Sequence, residues 1–175
     1  MNKLSVVIPA WNEREAIPRV IERLLAVSGT RWQKAGVGEL EIVVVDDGSS
    51  DGTLEAVIQA AAAIPRKSVS IRWHRHRANR GYGAALQTGL DRATGNVLAF
   101  LDADATYPPE SLPDLCRELW QTGAGMVVGN RMGRARSEMP AIRRLGNAFF
   151  ARLAGLLTGQ RVADCCSGMR VMPQA

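Results

Sequence analysis

The chain has 175 residues, 46% of them hydrophobic and 22% charged, a composition typical of one soluble globular domain with a substantial core. Its net charge of +5 favours an anionic partner, and charge alone leaves phosphate, a membrane surface and nucleic acid open. No apolar run reaches the length of a transmembrane helix. The first apolar stretch, Leu4–Trp11, contains Pro9 and then turns acidic, which indicates a strand and not a signal peptide.

The cysteines are odd in number and two of them are adjacent, at Cys116, Cys165 and Cys166. This is not the pattern of a disulfide framework, so we expect a reducing, cytoplasmic setting. The chain stops after Met172–Ala175 without an obvious closing element. We therefore predict a single domain over residues 1–175 that is truncated at its C-terminal end.

Strand and helix patterns alternate along the chain. The predicted strands cover residues 4–9, 41–45, 69–73, 96–101 and 126–129. The predicted helices cover residues 13–27, 52–63, 82–93, 109–121 and 139–157, with a loop at 28–38. The strand Glu41–Val45 is nearly all apolar, as is typical of a strand buried on both faces. Repeated β-α units of this length predict an α/β fold, a mostly parallel sheet with helices on both faces.

Three of the predicted strands end in polar segments. These are Pro9–Glu13 after the first strand, Asp46–Asp47 after the second and Asp102–Asp104 after the fourth. In parallel α/β sheets, ligands bind beyond the carboxyl ends of the strands. We therefore expect the three polar segments to face one crevice.

Asp102 and Asp104 are spaced by one residue just past a strand. Two such carboxylates can bind one Mg²⁺ or Mn²⁺, which prefer oxygen ligands and usually hold a substrate phosphate as well. The alternative is a turn or helix-capping pair before Pro108 and Pro109, because Asp favours such positions. The other polar segments expected at the same edge of the sheet favour the interpretation as a cation site.

The segment Asp46–Gly52 has two interpretations. A carboxylate at the strand end can accept hydrogen bonds from a nucleobase imide or a ribose hydroxyl. A Gly/Ser/Asp turn can equally cap the following helix, through Ser50 or Asp51. Both can hold together, with Asp47 on the ligand and Asp51 on the cap.

The segment Asn79–Ala85 is similar to the glycine fingerprint of dinucleotide-binding folds. It lacks the third glycine and follows the third strand instead of the first, which disfavours a nicotinamide-dependent dehydrogenase. Its small residues predict a helix that packs closely beside a sugar-diphosphate.

Arg131 follows the fifth predicted strand, and the planar fork of arginine suits phosphate oxygens. We assign Arg131 to phosphate, and Arg134 and Arg136 to a solvated charge run. His74 and His76 have metal-like spacing, but no further His exists and no Cys lies near, so we interpret them as a surface strand end.

The predicted helix 139–157 is amphipathic and carries several arginines. It can lie on a membrane surface or pack on the domain's own core, and the sequence leaves both open.

These segments, in this order, resemble family 2 glycosyltransferases with the GT-A fold. The likeness is greatest to the dolichol-phosphate mannosyltransferase-like group, which also includes bacterial polyprenyl-phosphate sugar transferases. The segments that carry the resemblance are Val6–Glu13, Val44–Thr53, Asn79–Gly83, Asp102–Asp104, Val128–Arg131 and Asp164–Arg170. Trp11 stands where the family usually has tyrosine, and Met169 stands where it has an aromatic residue.

The resemblance implies roles for individual residues in a Rossmann-like GT-A sheet. The implied donor-binding residues are Pro9, Trp11, Glu13, Val45, Asp47 and Ala103. The implied catalytic residues are Asp102, Asp104, Arg131, Asp164 and Arg170. Among the latter, Asp102 and Asp104 would also be the ligands of Mg²⁺ or Mn²⁺, and Arg170 would meet a donor or acceptor phosphate.

The implied activity is the metal-dependent, inverting transfer of a hexose from a nucleotide-diphosphate sugar, of the GDP-mannose or UDP-glucose type, to a polyprenyl or dolichyl phosphate. A lipid phosphate is already an anion and needs no strong general base. A hydroxyl acceptor would need a carboxylate, and Asp164 is the late candidate. We expect peripheral contact with the cytoplasmic face of a membrane and no nucleic-acid partner.

Other functions stay open on the sequence. The chain could act on a polysaccharide or a lipid hydroxyl, or be a non-catalytic nucleotide-binding fragment. A sugar-1-phosphate nucleotidyltransferase is disfavoured, because Pro9–Glu13 is not a glycine-rich loop bearing a lysine. The sequence does not distinguish a guanosine donor from a uridine donor.

Overall fold

The structure is a computed structural model that describes residues 1–62, 68–129, 152, 156 and 167–174. The strands in these ranges are β1 Asn2–Ala10, β2 Val37–Asp46, β3 Val69–Arg75, β4 Val97–Leu101, β5 Val127–Val128 and β6 Met169–Pro173. The helices are α1 Ile17–Ala26, α2 Gly29–Lys34, α3 Thr53–Ala62, α4 Tyr82–Arg92 and α5 Leu112–Thr122. A 3₁₀ turn, Pro109–Ser111, precedes α5.

The strands form one sheet in the order β3-β2-β1-β4-β6-β5. β1 pairs in parallel with β2 and β4, and β2 pairs in parallel with β3, whereas β6 is antiparallel to both β4 and β5. The predicted α/β fold with a mostly parallel sheet is therefore confirmed. The chain builds outward from β1 to β3 and then returns to place β4 on the other side of β1. The carboxyl ends of β1 and β4 thus form the point at which strand order reverses, where α/β sheets bind ligands.

Alternate residues of the central strands are buried on opposite faces of the sheet. Leu4, Val6 and Ile8 of β1 belong to the larger core, which also contains apolar residues of α1, α3 and α5. Val7 of β1 belongs to a smaller core beneath α4, together with Val43, Leu98 and Phe100. Burial on both faces explains why these strands are nearly continuous apolar runs.

Gly89 lets α4 lie close against the sheet. A Cβ built at this position would lie 2.2 Å from Cγ1 of Val7 and 3.2 Å from Cγ2 of Val45. These separations leave no room for a side chain, so the glycine brings the start of α4 near the strand ends.

Glu41 is a buried carboxylate in the middle of the sheet, only 1% exposed. It accepts hydrogen bonds from Ser5 Oγ, from both the amide and the hydroxyl of Thr94, and from Arg72. Burial by itself would raise the pKa of Glu41, but these hydrogen bonds lower it to about 2. The carboxylate therefore ties β1, β2, β3 and the segment before β4 together.

Two predictions about elements were wrong. The predicted loop 28–38 contains α2, in which Ser28 Oγ accepts the amide of Arg31 and Trp32 is buried. The C-terminal residues, for which no closing element was expected, form β6 between β4 and β5. α2 has only six residues, and β6 has a single β-branched residue, Val171, and ends at Pro173, so neither shows the pattern by which helices and strands are recognised.

The predicted helix 139–157 lies outside the described residues except for Arg152 and Leu156, which are helical and exposed. Its two interpretations, membrane surface or core, therefore stay untested. Among the residues that the structure describes, no helix combines the length and the hydrophobicity that crossing a bilayer requires.

Candidate functional site

A cleft of about 570 Å³ opens at the carboxyl ends of β1, β2 and β4. The residues that line it include Pro9, Trp11, Glu13, Asp47, Tyr82, Asp102, Ala103 and Asp104. The expectation that the three polar strand ends face one crevice is confirmed. The start of α4 supplies a further wall, through Asn79, Gly81, Tyr82 and Ala85.

The loops after β1 and β2 are held together by their own polar groups. Asn12, which has a left-handed backbone (φ +56°), donates its amide to Ser49 Oγ and accepts the amide of Ser50 through its side chain. Asp51 accepts the amide of Thr53 at the start of α3 and the amide of Arg14. The expectation that Asp51 caps this helix is confirmed.

Asp47 faces the cleft and is itself almost fully buried. Its carboxylate accepts hydrogen bonds from Nδ1 of His76 at 2.6 Å, from the amide of Gly81 at 2.8 Å and from the amide of Arg80. Burial disfavours the charged form, but these hydrogen bonds outweigh it and keep the pKa of Asp47 below its usual value. Asp47 is therefore an ionised acceptor at the edge of the cleft.

Gly48 allows the backbone of Ala78 and Asn79 to pack closely beside Asp47. Its φ of +75° is in the left-handed region, and a Cβ at this position would lie 2.7 Å from the carbonyl carbon of Ala78 and 2.8 Å from the nitrogen of Asn79. The segment before α4 can therefore approach β2 closely enough for its amides to reach the carboxylate of Asp47.

His76 is buried, with 4% of its surface exposed, so its interpretation as part of a surface strand end was wrong. Its amide donates to the carbonyl of Asp46, which continues the β2–β3 pairing past the end of β3. Burial of the ring follows from the position of α4, whose Thr88 lies 3.0 Å from Nε2. His74, two residues earlier, is only half-buried.

Asp102 is positioned by groups that come from distant parts of the chain. Its Oδ1 accepts the hydroxyl of Tyr82 at 2.8 Å, and its amide donates to the carbonyl of Gly168 at 3.2 Å. A Cβ built at Gly168 would lie 1.7 Å from Oδ2 of Asp102. The carboxylate therefore occupies the space that any side chain at position 168 would need.

Tyr82 keeps its proton in this contact. Burial and the negative charge of Asp102 raise the pKa of the phenol, and the hydrogen bond to Asp102 raises it further, while the positive charge of Arg170 acts in the opposite direction. The phenol is therefore a permanent hydrogen-bond donor to Asp102.

Asp104 lies in a tight turn after β4. Its Oδ1 accepts the amide of Thr106 at 2.9 Å, and Ala105 between them has a left-handed backbone (φ +59°). Asp104 also lines a second hollow of about 510 Å³ beside α1, which it shares with Glu13. Burial raises the pKa of Glu13, and the charges of Asp104 and Asp51 raise it further. A positive charge placed among these carboxylates would be stabilised.

Asp102 and Asp104 fit a hard divalent cation that is shared with a phosphate. Among the residues that the structure describes, no group of three or more His, Cys, Asp or Glu side chains could hold a metal by itself. Mg²⁺ is usually bound by one or two carboxylates, with substrate phosphates and water completing its shell. Two carboxylates at the edge of one cleft match that arrangement and do not match a closed zinc site.

Two of the residues implied by the resemblance lie away from the cleft lining. Val45 is fully buried in β2 and packs beneath α4, and its assignment to the nucleoside pocket stays a prediction. Arg170 lies on β6 opposite Phe100, with its guanidinium carbon 5.5 Å from the centre of that ring. Its positive charge lowers the pKa of the Tyr82 phenol, against the larger effects of burial and Asp102. Arg131 and Asp164 lie outside the described residues.

Sequence reasoning missed Tyr82 and His76 as members of the site. Tyr82 is 50% exposed, lines the cleft and is the first residue of α4, directly after Gly81. For His76 no local signal existed, since both of its side-chain partners are distant in the sequence.

The sequence matches Glycosyl transferase family 2 over residues 5–175. It is 34% identical over 164 residues to an undecaprenyl-phosphate 4-deoxy-4-formamido-L-arabinose transferase of Photorhabdus laumondii subsp. laumondii. That alignment covers 94% of this chain and 47% of the relative, so the chain spans about half the length of the curated relative it matches.

Solved structures of similar fold include a mannosyltransferase from Pyrobaculum calidifontis in complex with GDP-Man and Mn²⁺. Its TM-score is 0.62 at 30% identity, over 73% of this chain and 35% of that one. Glucosyl-3-phosphoglycerate synthase from Mycobacterium tuberculosis in complex with UDP has a TM-score of 0.66 at 24% identity, over 98% of this chain and 57% of that one. These likenesses confirm the expected GT-A fold. From its strand order, its cleft and the match over residues 5–175, the chain belongs to glycosyl transferase family 2.

Proposed function

We propose that the cleft binds a nucleotide-diphosphate sugar and that the chain is the catalytic domain of a glycosyltransferase whose acceptor is a polyprenyl phosphate. The observation that carries this proposal is the convergence of Asp47, Asp102 and Asp104 on one cleft at the strand-order reversal. Family membership and the acceptor named in the relative's description support the reaction class and the lipid.

The nucleoside end of the donor would lie beside Asp47. Because this carboxylate is ionised, it can only accept hydrogen bonds, and it favours a base edge that presents an N–H group. The imide of uracil and the N1–H edge of guanine both present one, whereas adenine and cytosine present a ring-nitrogen acceptor at the corresponding edge. Trp11, which is 55% exposed on the cleft wall, offers an apolar face for the base or ribose.

The diphosphate end would lie beside Asp102 and Asp104. Mg²⁺ or Mn²⁺ bound there would supply positive charge to the leaving nucleotide diphosphate as the glycosidic bond breaks. Asp102 would be held in place by the Tyr82 hydroxyl, and Asp104 by the turn at Thr106. The Mn²⁺ in the mannosyltransferase structure supports a divalent ion in this fold.

The acceptor phosphate would approach from the side of β6, where Arg170 lies opposite Phe100 of β4. We retain Arg131 as a phosphate ligand and Asp164 as the base for a hydroxyl acceptor. A phosphate oxygen is already anionic, so attack on the anomeric carbon from the face opposite the leaving group would invert it without a strong base. A polyprenyl acceptor implies reaction at the cytoplasmic surface of a membrane.

Thermal denaturation of the chain with GDP, UDP, CDP and ADP, each with and without Mn²⁺, tests donor binding. A ligand that binds only the folded state raises the melting temperature, by about 5–10 °C when it is present at 100 times its dissociation constant. We expect Mn²⁺-dependent stabilisation by GDP or UDP and little by CDP or ADP. Equal shifts with all four nucleotides, or none, would contradict the nucleoside assignment.

Transfer assays then test the acceptor. The matching nucleotide sugar is supplied with a polyprenyl phosphate, with the corresponding polyprenol, or with neither. Product with the phosphate alone supports the proposal. Product with the polyprenol instead would favour the alternative, transfer to a hydroxyl.

A further inference from the structure

The environment of His76 contains a chain of three hydrogen-bonded side chains that reaches the cleft. Nδ1 of His76 lies 2.6 Å from Oδ1 of Asp47, and Nε2 lies 3.0 Å from Oγ1 of Thr88. The Thr88 hydroxyl in turn donates to the carbonyl of Ala84 at 2.8 Å, one turn earlier in α4. His76 and Asp47 are both buried, so water does not compete for these contacts.

The contact between His76 and Asp47 has one direction. The Asp47 carboxylate also accepts from two backbone amides and, being ionised, can only accept from Nδ1. Nδ1 of His76 must therefore carry a proton. The Thr88 hydroxyl can donate to Nε2 or accept from it, so this second contact holds the ring in place in either case.

We propose that His76 is a positioning residue whose ring, held between Thr88 and Asp47, fixes the Asp47 carboxylate in the orientation that meets the nucleoside. The proposal rests on the proposed function in taking Asp47 to face the base. A carboxylate has about four acceptor positions, and the donors from His76, Arg80 and Gly81 occupy most of them. The acceptor position that remains on the carboxylate therefore has a direction that these three donors set.

Loss of the His76 ring would leave a buried carboxylate with backbone donors alone. Such a group can turn, admit water or take up a proton, and a protonated Asp47 would no longer be purely an acceptor. Each of these changes weakens recognition of a base N–H group. None of them acts directly on the diphosphate end, where Asp102 and Asp104 lie.

The protonation state can be measured without any ligand. His74 and His76 are the two histidines of the chain, so ¹⁵N-histidine labelling gives a spectrum with two rings, assigned with the His74→Asn variant. We expect Nδ1 of His76 to carry a proton at about pH 7.5, since it donates to Asp47. An unprotonated Nδ1 on His76 at this pH would overturn the proposal.

The binding consequence is tested with His76→Leu, His76→Asn and the control His74→Asn, whose ring lies edge-on to His76 at 5.7 Å and makes no contact with Asp47 in the described structure. We expect His76→Leu to weaken GDP or UDP binding by about tenfold and to raise the donor KM similarly, with kcat little changed. Asparagine can still donate toward Asp47, so His76→Asn should recover part of the loss. His74→Asn should bind normally.

Inorganic pyrophosphate with Mn²⁺ distinguishes positioning from general damage to the fold. Pyrophosphate carries no nucleoside, so its affinity should be the same in wild type and in the His76 variants. Equal loss of nucleotide and pyrophosphate binding, or unchanged nucleotide binding in both His76 variants, would overturn the proposal. If the wild-type chain binds no nucleotide, the proposed function fails, and the labelling experiment still decides the state of the ring.

Discussion

The hydroxyl of Tyr82 donates a 2.8 Å hydrogen bond to Oδ1 of Asp102, and so joins the first residue of α4 to the carboxyl end of β4. Both residues line the cleft, so the bond connects two of the segments that form its wall. Because the phenol stays protonated, Asp102 keeps this donor over the whole physiological pH range. One oxygen of the carboxylate is thereby oriented before any ligand arrives.

Removing this hydroxyl with Tyr82→Phe should weaken the metal-dependent step without unfolding the chain. We expect about a tenfold loss in kcat/KM, the effect of one hydrogen bond to a charged group, and a higher Mn²⁺ concentration for half-maximal activity. Steady-state kinetics at several Mn²⁺ concentrations measure both. Unchanged Mn²⁺ dependence would show that Tyr82 does not position Asp102.

The metal assignment predicts that Asp104→Asn abolishes transfer while the fold stays intact. The amide keeps the size of the side chain but removes the charge that would hold Mg²⁺ or Mn²⁺, so we expect a loss of about 100-fold or more. The matched control is Asp114→Asn. Asp114 lies on α5, does not line the cleft, and forms exposed ion pairs with Arg31 of α2 and Arg117 of α5. Full activity in Asp104→Asn would exclude the metal role of Asp104.

Gly168→Ala should displace Asp102, since the new Cβ would lie 1.7 Å from the present position of Oδ2. We expect destabilisation of about 1–3 kcal/mol and loss of Mn²⁺-dependent nucleotide binding. Gly125→Ala is the control, because a Cβ there meets nothing within 4 Å. Thermal denaturation with and without nucleotide measures both effects. A Gly168→Ala variant that binds normally would show that Asp102 can move without consequence.

The lowered pKa of Glu41 predicts that the free energy of unfolding falls in acid. Its folded-state pKa of about 2 is below the ordinary value of 4.5, so its contribution is complete above pH 4.5 and is lost as the pH falls from there towards 2. The difference between these two pKa values corresponds to a contribution of about 3 kcal/mol to the free energy of unfolding at neutral pH. Glu41→Gln should remove much of this pH dependence, whereas Glu39→Gln, exposed on the same strand, should not. Urea denaturation at pH 7, 4 and 3 provides the measurement, and parallel pH curves for wild type and Glu41→Gln would contradict it.

Sequence patterns predicted the elements that are long and regularly buried. The apolar runs of β1, β2 and β4 and the helical faces of α1 and α5 appear in the structure within a few residues of their expected positions. The periodicity that identifies them is local, because burial on both faces of a sheet demands continuous apolar residues. The six residues of α2 are too few to show helical periodicity. β6 is as long as β4 but contains Arg170 and Pro173, so it lacks the continuous apolar run.

The sequence by itself determined that Asp47, Asp102 and Asp104 end strands of one parallel sheet, and therefore that they converge. It did not determine which oxygen meets which donor, and only the tertiary structure decided that. Tyr82 reaches Asp102 and His76 reaches Asp47 because α4 packs over the sheet at Gly89. Such partners are far apart in sequence, and their contact depends on how whole elements pack, which no local pattern of residues records. The sequence predicts the pair of aspartates after β4, whereas the groups that orient these carboxylates are brought to them by tertiary packing.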